Sequence, residues 1–207
     1  PRELSASLAA RVKIRRHFDD RNFYDKYQGM PLHGYTALFE RLLRHPLIQV
    51  QLDTCFTPVE DEAGYDHVVY TGPVSHYFDD CFGPLAYLSI RFEHEHIENI
   101  AEYQSVGSIN YANDEYYTRV SEFKHFTGQR HNGTSIVREV PQAVGDPHYP
   151  VLDEVNRQRY LRYKTLTQER PTVSFVGRLA QYQYYNIDQV VAASLSLCDR
   201  LLETTLN

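Results

Sequence analysis

Hydrophobic residues recur at helical spacing in several separate stretches of the chain. After Gly34, residues 35–43 (YTALFERLL) place apolar side chains three and four positions apart, which predicts a short amphipathic helix. Asn186 and Gln189 resemble a capping box before a longer helix, whose apolar stripe is expected to be core packing. This longer helix covers 187–206. Two further helices are predicted, at 154–166 and in the charged stretch that ends near Arg16.

Elsewhere apolar positions alternate with polar ones, and this period of two is typical of β-strands. Alternation over 87–140 predicts an antiparallel sheet, in which Asn132-Gly133 is a strong signal for a hairpin turn. Its four predicted strands are YLSIRF, SVGSINYA, YTRVSEFKHF and TSIVREV. Further strands are predicted at 48–52, at 67–70 (buried) and at 173–176. The fold class is therefore α+β, a twisted antiparallel sheet flanked by helices.

The composition limits the classes of partner. With 207 residues, 42% hydrophobic and 23% charged, the chain is typical of a soluble globular protein. Its net charge of -6 argues against nucleic acid or an anionic membrane, so locally placed arginines must hold any bound anion. No long apolar run predicts a transmembrane helix, and the charged beginning does not match a secretory signal. The 3 cysteines form no CxxC pair, which indicates reduced thiols and a cytoplasmic location.

Several common motifs are absent from the sequence. It contains no GxGxxG, GxxxxGK[ST] or GxSxG, so it has no dinucleotide fingerprint, P-loop or hydrolase elbow. His94-Glu95-His96 lacks the partner ligands that a metal site needs, and a solvated strand edge is the favoured interpretation. The acidic pair Asp79-Asp80 is expected to serve a turn. The 17 tyrosines suit sugars and nucleobases, although most are expected to pack on the sheet.

Five sequence blocks follow one another in a specific order from about residue 11 to the end of the chain. They lie at 18–43, 65–93, 108–126, 148–151 and 175–195. Within them, YTGP, NY…YTR…E.KHF and GRL..Y.YYN.DQ are weak individually and highly specific in series. Together the blocks resemble the UDP-galactopyranose mutase family.

The resemblance implies a domain organisation. Residues 1–45 would end a helical substrate and lid domain, and 74–170 would form an antiparallel-sheet substrate domain. Residues 46–73 and 171–207 would be pieces of an FAD-binding domain. Their strand and helix elements would complete a Rossmann-like domain, so the complete family fold is α/β. The glycine-rich pyrophosphate loop of the family has no counterpart in the sequence.

The resemblance also implies a chemistry. Family members are isomerases that interconvert UDP-galactopyranose and UDP-galactofuranose through an adduct between N5 of reduced FAD and the sugar. UDP must stay in place while its bond to the sugar is broken, and arginines suit this task because they bind phosphate bidentately. By resemblance, Arg11 is a catalytic arginine of the mobile lid and Arg119 is the fixed one.

Other site residues follow from the same matches. Those implied to bind substrate are Phe23, Asn110, Tyr149 and Tyr184, and those implied to bind FAD are Gly177, Arg178, Asn186, Ile187 and Asp188. No metal is implied. The implied partners are UDP-galactose in both ring forms and, as one option, a second copy of the chain, but not nucleic acid or membrane.

Two observations keep alternatives open. Leu88 stands where the family usually has an arginine, which removes a cation near the site. Arg119 is also explained as a strand residue that pairs with Glu122 or Glu139. The alternatives to a mutase are a non-catalytic nucleotide-sugar-binding remnant and an antiparallel-sheet interaction module.

Overall fold

The computed structural model describes residues 18–19, 21, 24–111 and 114–205. The regular elements are, in chain order, α1 (Gly34–Leu42), α2 (Pro58–Glu62), β1 (Val68–Tyr70), α3 (Val74–Tyr77), β2 (Tyr87–Ile97), β3 (Ser108–Asn110), β4 (Arg119–Glu122), α4 (Phe123–Thr127), β5 (Thr134–Gln142), β6 (Tyr149–Pro150), α5 (Glu154–Gln168), β7 (Val173–Phe175) and α6 (Ile187–Thr205). They form two compact units. Unit 1 contains the described residues of 55–89 and 146–205, and unit 2 contains those of 18–54 and 90–145.

Unit 1 contains two short strand pairs. β1 and β7 are parallel, with Val68 opposite Val173. The first two residues of β2 pair antiparallel with β6, so Leu88 lies opposite Tyr149. α5 begins at an N-cap, Asp153, whose carboxylate accepts a hydrogen bond from the N–H of Asn156 at 2.7 Å.

The core of unit 1 is aromatic, and its buried hydroxyls donate to backbone carbonyls. Val74, Leu85, Tyr163 and Tyr182 are buried together. The Tyr163 hydroxyl donates to the carbonyl of Gly83 at 2.8 Å. The Tyr182 hydroxyl makes bonds of 2.6 and 2.9 Å to two carbonyls. Burial raises the pKa of Tyr182, because it penalises the charged phenolate.

Unit 2 is built on an antiparallel sheet in which β4 lies between β3 and β5. Val120 and Ile136 are fully buried in it. The burial pattern of β4 alternates, as expected for a strand with one covered face. That alternation also buries Glu122, which has no exposed surface.

Glu122 is buried as an acceptor for several donors. Its carboxylate accepts the N–H groups of Tyr103 at 3.0 Å and Gln104 at 2.9 Å, and the hydroxyl of Thr134 at 2.5 Å. Burial raises the pKa of Glu122, but these hydrogen bonds and nearby His125 outweigh it, and the pKa lies below its usual value. The carboxylate therefore ties the 103–104 segment to the sheet.

Most predicted elements are present. α1, α5, α6, β1, β7 and the strands of the antiparallel sheet lie where the periodicity places them, and the mixed helix-and-strand class is confirmed. The backbone N–H of Asn186 donates to the side chain of Gln189 at 2.8 Å, which confirms the Gln189 half of the capping box. The helix predicted before Arg16 lies outside the described residues.

Four local predictions were wrong. Residues 48–52 form no strand, because their apolar side chains are exposed and no described strand pairs with them. The 67–70 strand is only half-buried, since Val69 is 48% exposed. The predicted strand through 126 ends at Glu122, and α4 begins at Phe123. The apolar stripe of α6 is largely exposed and is not core packing: Ile187, Val191, Leu195 and Leu202.

The hairpin at Asn132-Gly133 was also predicted wrongly. β4 and β5 are neighbours, but α4 and the loop 128–133 connect them. The positive φ in this connection is at Gly128, which caps α4 with φ 68°. Gly133 instead packs closely against β2, because an added Cβ would lie 2.8 Å from the carbonyl of Ile97.

In the part of the chain that is described, no helix has both the length and the apolar character needed to cross a membrane.

Candidate functional site

Three polar side chains form a row across the sheet of unit 2. Asn110 on β3, Arg119 on β4 and Glu139 on β5 are cross-strand partners, so their side chains project from one face. Nε of Arg119 donates to Oδ1 of Asn110 at 2.9 Å, and its Nη1 donates to Oε1 of Glu139 at 3.2 Å. The strand register therefore holds this guanidinium from two sides.

The guanidinium of Arg119 still faces solvent. Its side chain is 40% exposed, whereas that of Glu139 is 14% exposed. Nη2 of Arg119 donates no hydrogen bond to any described residue, so its two N–H groups are available to a ligand. Such groups donate charge-assisted hydrogen bonds to phosphate oxygens. The pairing with Glu139, which the sequence offered as the alternative, is thus present, and it leaves N–H donors of the Arg119 guanidinium unused.

Two stacked tyrosines form the second group, in unit 1. The rings of Tyr149 and Tyr184 lie with centroids 4.9 Å apart and planes inclined by 9°. The guanidinium carbon of Arg178 is 5.5 Å from each centroid, a distance that allows cation–π attraction. Both tyrosines are half-buried. Their flat faces and hydroxyls suit a sugar or a base.

Arg178 uses its donors on the backbone. Nε donates to the carbonyl of Tyr185 at 3.1 Å, Nη2 donates to the same oxygen, and Nη1 donates to the carbonyl of His148 at 3.0 Å. His148 precedes Tyr149 and Tyr185 follows Tyr184, so these bonds join the segments that carry the stacked rings. Arg178 therefore positions the tyrosine pair, and most of its hydrogen-bonding capacity is used internally.

Gly177 and the start of α6 complete this group of residues. Gly177 is buried with φ 101°, a conformation that side chains other than glycine rarely adopt. No described atom lies within 4 Å of the point where its Cβ would stand. The first N–H groups of α6 have no carbonyl partner within the helix, and Asp188 adds a carboxylate to its first turn.

The structure places the predicted residues in two groups. Asn110 and Arg119 come together in unit 2, and Tyr149, Tyr184 and Arg178 come together in unit 1. Asn186 follows Tyr185 directly, and Ile187 and Asp188 form the start of α6. Arg11 and Phe23 lie outside the described residues.

The sequence did not predict how the two arginines are held. Glu139 was anticipated only as an alternative partner of Arg119, and its signal is an acidic residue on the adjacent strand of the sheet. The anchors of Arg178 are backbone carbonyls, which have no signature in the sequence.

The part of the chain that contains most of these residues matches a known protein family. The family model for UDP-galactopyranose mutase matches residues 1–184. The chain belongs to the UDP-galactopyranose mutase family. The match covers Arg119, Tyr149 and Tyr184 and confirms the resemblance read from the sequence blocks.

Curated members of the mutase family are similar over nearly the whole chain. It is 34% identical to a probable UDP-galactopyranose mutase of Klebsiella pneumoniae, over 100% of this chain and 54% of that protein. It is 32% identical to a dTDP-fucopyranose mutase of Escherichia coli, over 94% of this chain and 54% of that protein. The chain therefore spans about half the length of the curated relatives it matches.

Among solved structures, a crystal structure of reduced UDP-galactopyranose mutase has a TM-score of 0.46 and 11% sequence identity. The similarity covers 58% of this chain and 37% of that one.

Leu88 lies beside the tyrosine pair of this mutase-family chain. It is 49% exposed and lies directly opposite Tyr149, so both side chains project from the same face. The N–H of His148 donates to the carbonyl of Leu88 at 3.1 Å, which fixes the register. An apolar side chain therefore adjoins the stacked rings.

Proposed function

We propose that the chain carries part of the substrate site of a mutase that interconverts the pyranose and furanose forms of UDP-galactose. The observation that supports this most directly is the row formed by Asn110, Arg119 and Glu139. It holds a half-exposed guanidinium with unused donors on a rigid sheet, inside the region that matches the family model. The complete protein would then be an FAD-dependent isomerase.

Arg119 is proposed to bind the diphosphate of the substrate. Negative charge grows on UDP as its bond to the sugar breaks, and a guanidinium that is already oriented needs no reorganisation to stabilise that charge. Glu139 and Asn110 orient it, and the amide of Asn110 also lies beside the bound anion. Arg11 is proposed as a second cation on the lid.

Tyr149 and Tyr184 are proposed to bind the sugar and the phosphates. Their stacked rings offer an apolar surface to the sugar ring, and their hydroxyls offer hydrogen bonds. Arg178 keeps the two segments together through the carbonyls of His148 and Tyr185. Phe23 is proposed as a further contact with the substrate.

The residues present fit a flavin nucleotide. Gly177 leaves open space beside a backbone that a side chain would obstruct, and the N-terminal N–H groups of α6 suit a pyrophosphate. Asn186 precedes this helix and Ile187 begins it, and the carboxylate of Asp188 suits a hydroxyl of the cofactor. When bound and reduced, FAD would supply the nucleophile that lets the sugar ring reopen without net oxidation.

A second candidate substrate is a 6-deoxysugar attached to a nucleoside diphosphate. The relative from Escherichia coli is a dTDP-fucopyranose mutase, and it covers nearly as much of the chain as the Klebsiella relative. Leu88 favours this candidate, because its exposed apolar side chain beside Tyr149 suits a methyl group better than a hydroxymethyl group. Comparing dTDP-fucose with dTDP-galactose, which share a nucleotide, isolates this difference. Equal affinity for the two nucleotide sugars would exclude a preference for the 6-deoxysugar.

The cellular setting is proposed to be the cytoplasm. Cys55, Cys81 and Cys198 are exposed free thiols, which is typical of a reducing compartment.

The decisive experiment measures cofactor and nucleotide binding by the chain. We expect the purified chain to keep a visible flavin band after incubation with FAD and removal of free ligand. We also expect UDP to bind, and R119A to weaken UDP at least about tenfold, because a charge-assisted contact is lost. The matched control is R157A, which removes an exposed arginine of α5 that pairs with Glu154. Colourless protein that binds UDP equally well with and without Arg119 would refute the proposal.

A further inference from the structure

A groove lies on unit 2 at the end of β5 away from Glu139. It has a volume of about 390 Å³, and its lining includes His96, Phe123, Lys124, Gln129, Arg130 and His131. Ser135 also lines it, four residues before Glu139 along β5. At the rise of a β-strand this separation is about 13 Å. The groove is therefore distinct from the row that contains Arg119.

The loop that forms one wall of the groove is held in place by its own polar groups. Nζ of Lys124 donates to the carbonyl of Ala101 at 3.1 Å and to the carbonyl of His131. Nδ1 of His131 accepts the N–H of Gly133 at 3.0 Å. Since Nδ1 is the acceptor, the proton of the neutral ring is on Nε2, which is a donor. These hydrogen bonds fix the conformation of the loop, and the Nε2–H of His131 remains a donor.

Cationic and hydrogen-bond donor groups line the groove, although the protein as a whole is acidic. Arg130 is exposed and makes no hydrogen bond or ion pair with any residue that the structure describes. Lys124 has a third ammonium N–H beyond the two that reach carbonyls. No carboxylate is among the described residues that line this groove, although the chain has a net charge of -6. A shallow neighbouring groove shares Lys124, Arg130 and His131 and includes one carboxylate, that of Glu102.

We propose that this groove binds the phosphoryl group of a small phosphorylated metabolite. Arg130, the Nε2–H of His131 and the remaining donor of Lys124 would contact the phosphoryl oxygens, which accept such charge-assisted bonds strongly. The volume exceeds that of a bare ion and lies in the range of small-molecule sites. Phe123 supplies an apolar surface for the carbon skeleton. This site is additional to the diphosphate site at Arg119 and does not depend on it.

The test titrates the complete chain with inorganic phosphate, glycerol 3-phosphate and glycerol, at constant ionic strength set with sodium chloride. Amide NMR shifts of Gly133 and Ser135, which line the groove, report on binding. We expect saturable shifts with both phosphates, tighter binding of glycerol 3-phosphate, and none with glycerol. R130Q should weaken binding about tenfold, since one charge-assisted contact is lost. H131N should weaken it less, while its side-chain oxygen still accepts the N–H of Gly133.

Two controls separate this site from others. R157Q removes a distant exposed arginine, and R119A removes the proposed diphosphate contact; both should leave the affinity for glycerol 3-phosphate unchanged. If R119A lost binding, the anion would be bound at the proposed diphosphate site and not in the groove. That result would overturn the groove proposal while supporting the proposed function. Equal weakening by R157Q and R130Q, shifts that do not saturate, or equal affinity for the two phosphates would also overturn the proposal.

Discussion

The two units stabilise their polar groups in opposite ways. In unit 1 the largest buried side chains, Tyr163 and Tyr182, carry neutral hydroxyls that donate to carbonyls, and Arg178 is bound to the backbone. In unit 2 the most buried polar group is a charged carboxylate, Glu122, and Arg119 is held by side chains on adjacent strands. The two arginines therefore differ in availability: Arg178 supports the fold around the site, and Arg119 can bind a ligand.

The largest effect that tests this comparison is expected at Glu122. E122Q replaces an acceptor-only group with one that carries an NH2 group facing the N–H donors of Tyr103 and Gln104. We expect the free energy of unfolding to fall by about 3 kcal/mol, because a buried network loses charge-assisted bonds and gains an unpaired donor. Urea unfolding followed by circular dichroism measures this. The control E154Q changes an exposed carboxylate and should leave the midpoint where it is.

The next effect contrasts the two arginines directly. R178A should lower the free energy of unfolding by about 2 kcal/mol, because the half-buried carbonyls of His148 and Tyr185 lose a charged donor. R119A should lower it by at most about 1 kcal/mol, since its side chain is partly exposed and its pairs are screened by water. Denaturant midpoints of both variants give the comparison. A larger loss in R119A than in R178A would reverse the assigned roles.

A smaller effect concerns how Arg119 is oriented. R119K keeps the charge but cannot contact Asn110, Glu139 and a phosphate together, so the affinity for UDP should fall about tenfold. N110A and E139Q each remove one support and should weaken UDP about threefold, with little change in unfolding. Calorimetric titration with UDP measures all three. If N110A and E139Q leave UDP binding intact, the row is not a positioning device.

The smallest effect is a difference in pH dependence between the units. The pKa of Glu122 is depressed, so its contribution is present above the unfolded-state pKa of about 4.3 and is lost as pH falls through the folded-state pKa. Burial raises the pKa of Tyr160 to about 12, so its contribution is present below about pH 10 and is lost as pH rises towards 12. Unit 2 should therefore weaken first in acid and unit 1 first in alkali.

Amide hydrogen exchange at Val120 in unit 2 and at Tyr163 in unit 1 separates the two responses. E122Q should reduce the acid sensitivity of Val120, and Y160F should reduce the alkaline sensitivity of Tyr163. The same acid response at both amides in the wild-type chain would show that the contrast between the units is not electrostatic.

Local patterns predicted most elements but not where strands end. Residues 35–43 and 187–206 have a period that only a helix satisfies, and α1 and α6 follow it closely. The alternation in YTRVSEFKHF continues past Glu122, yet the chain turns into α4 there. Lys124 and His125 of this helix reach the carbonyls of Ala101 and Gln104. These distant contacts decide the conformation, and no window of local sequence contains them.

The candidate site divides in the same way. The sequence by itself determined the mutase family and the identity of its arginines and tyrosines, because blocks such as YTR and YYN carry those residues in a specific order. Only the tertiary structure decided that Arg119 is paired with Glu139 and remains partly exposed, while Arg178 is bound to the carbonyls of His148 and Tyr185. The physical reason is that availability depends on strand register and on backbone acceptors far along the chain, and both arise only when the chain folds.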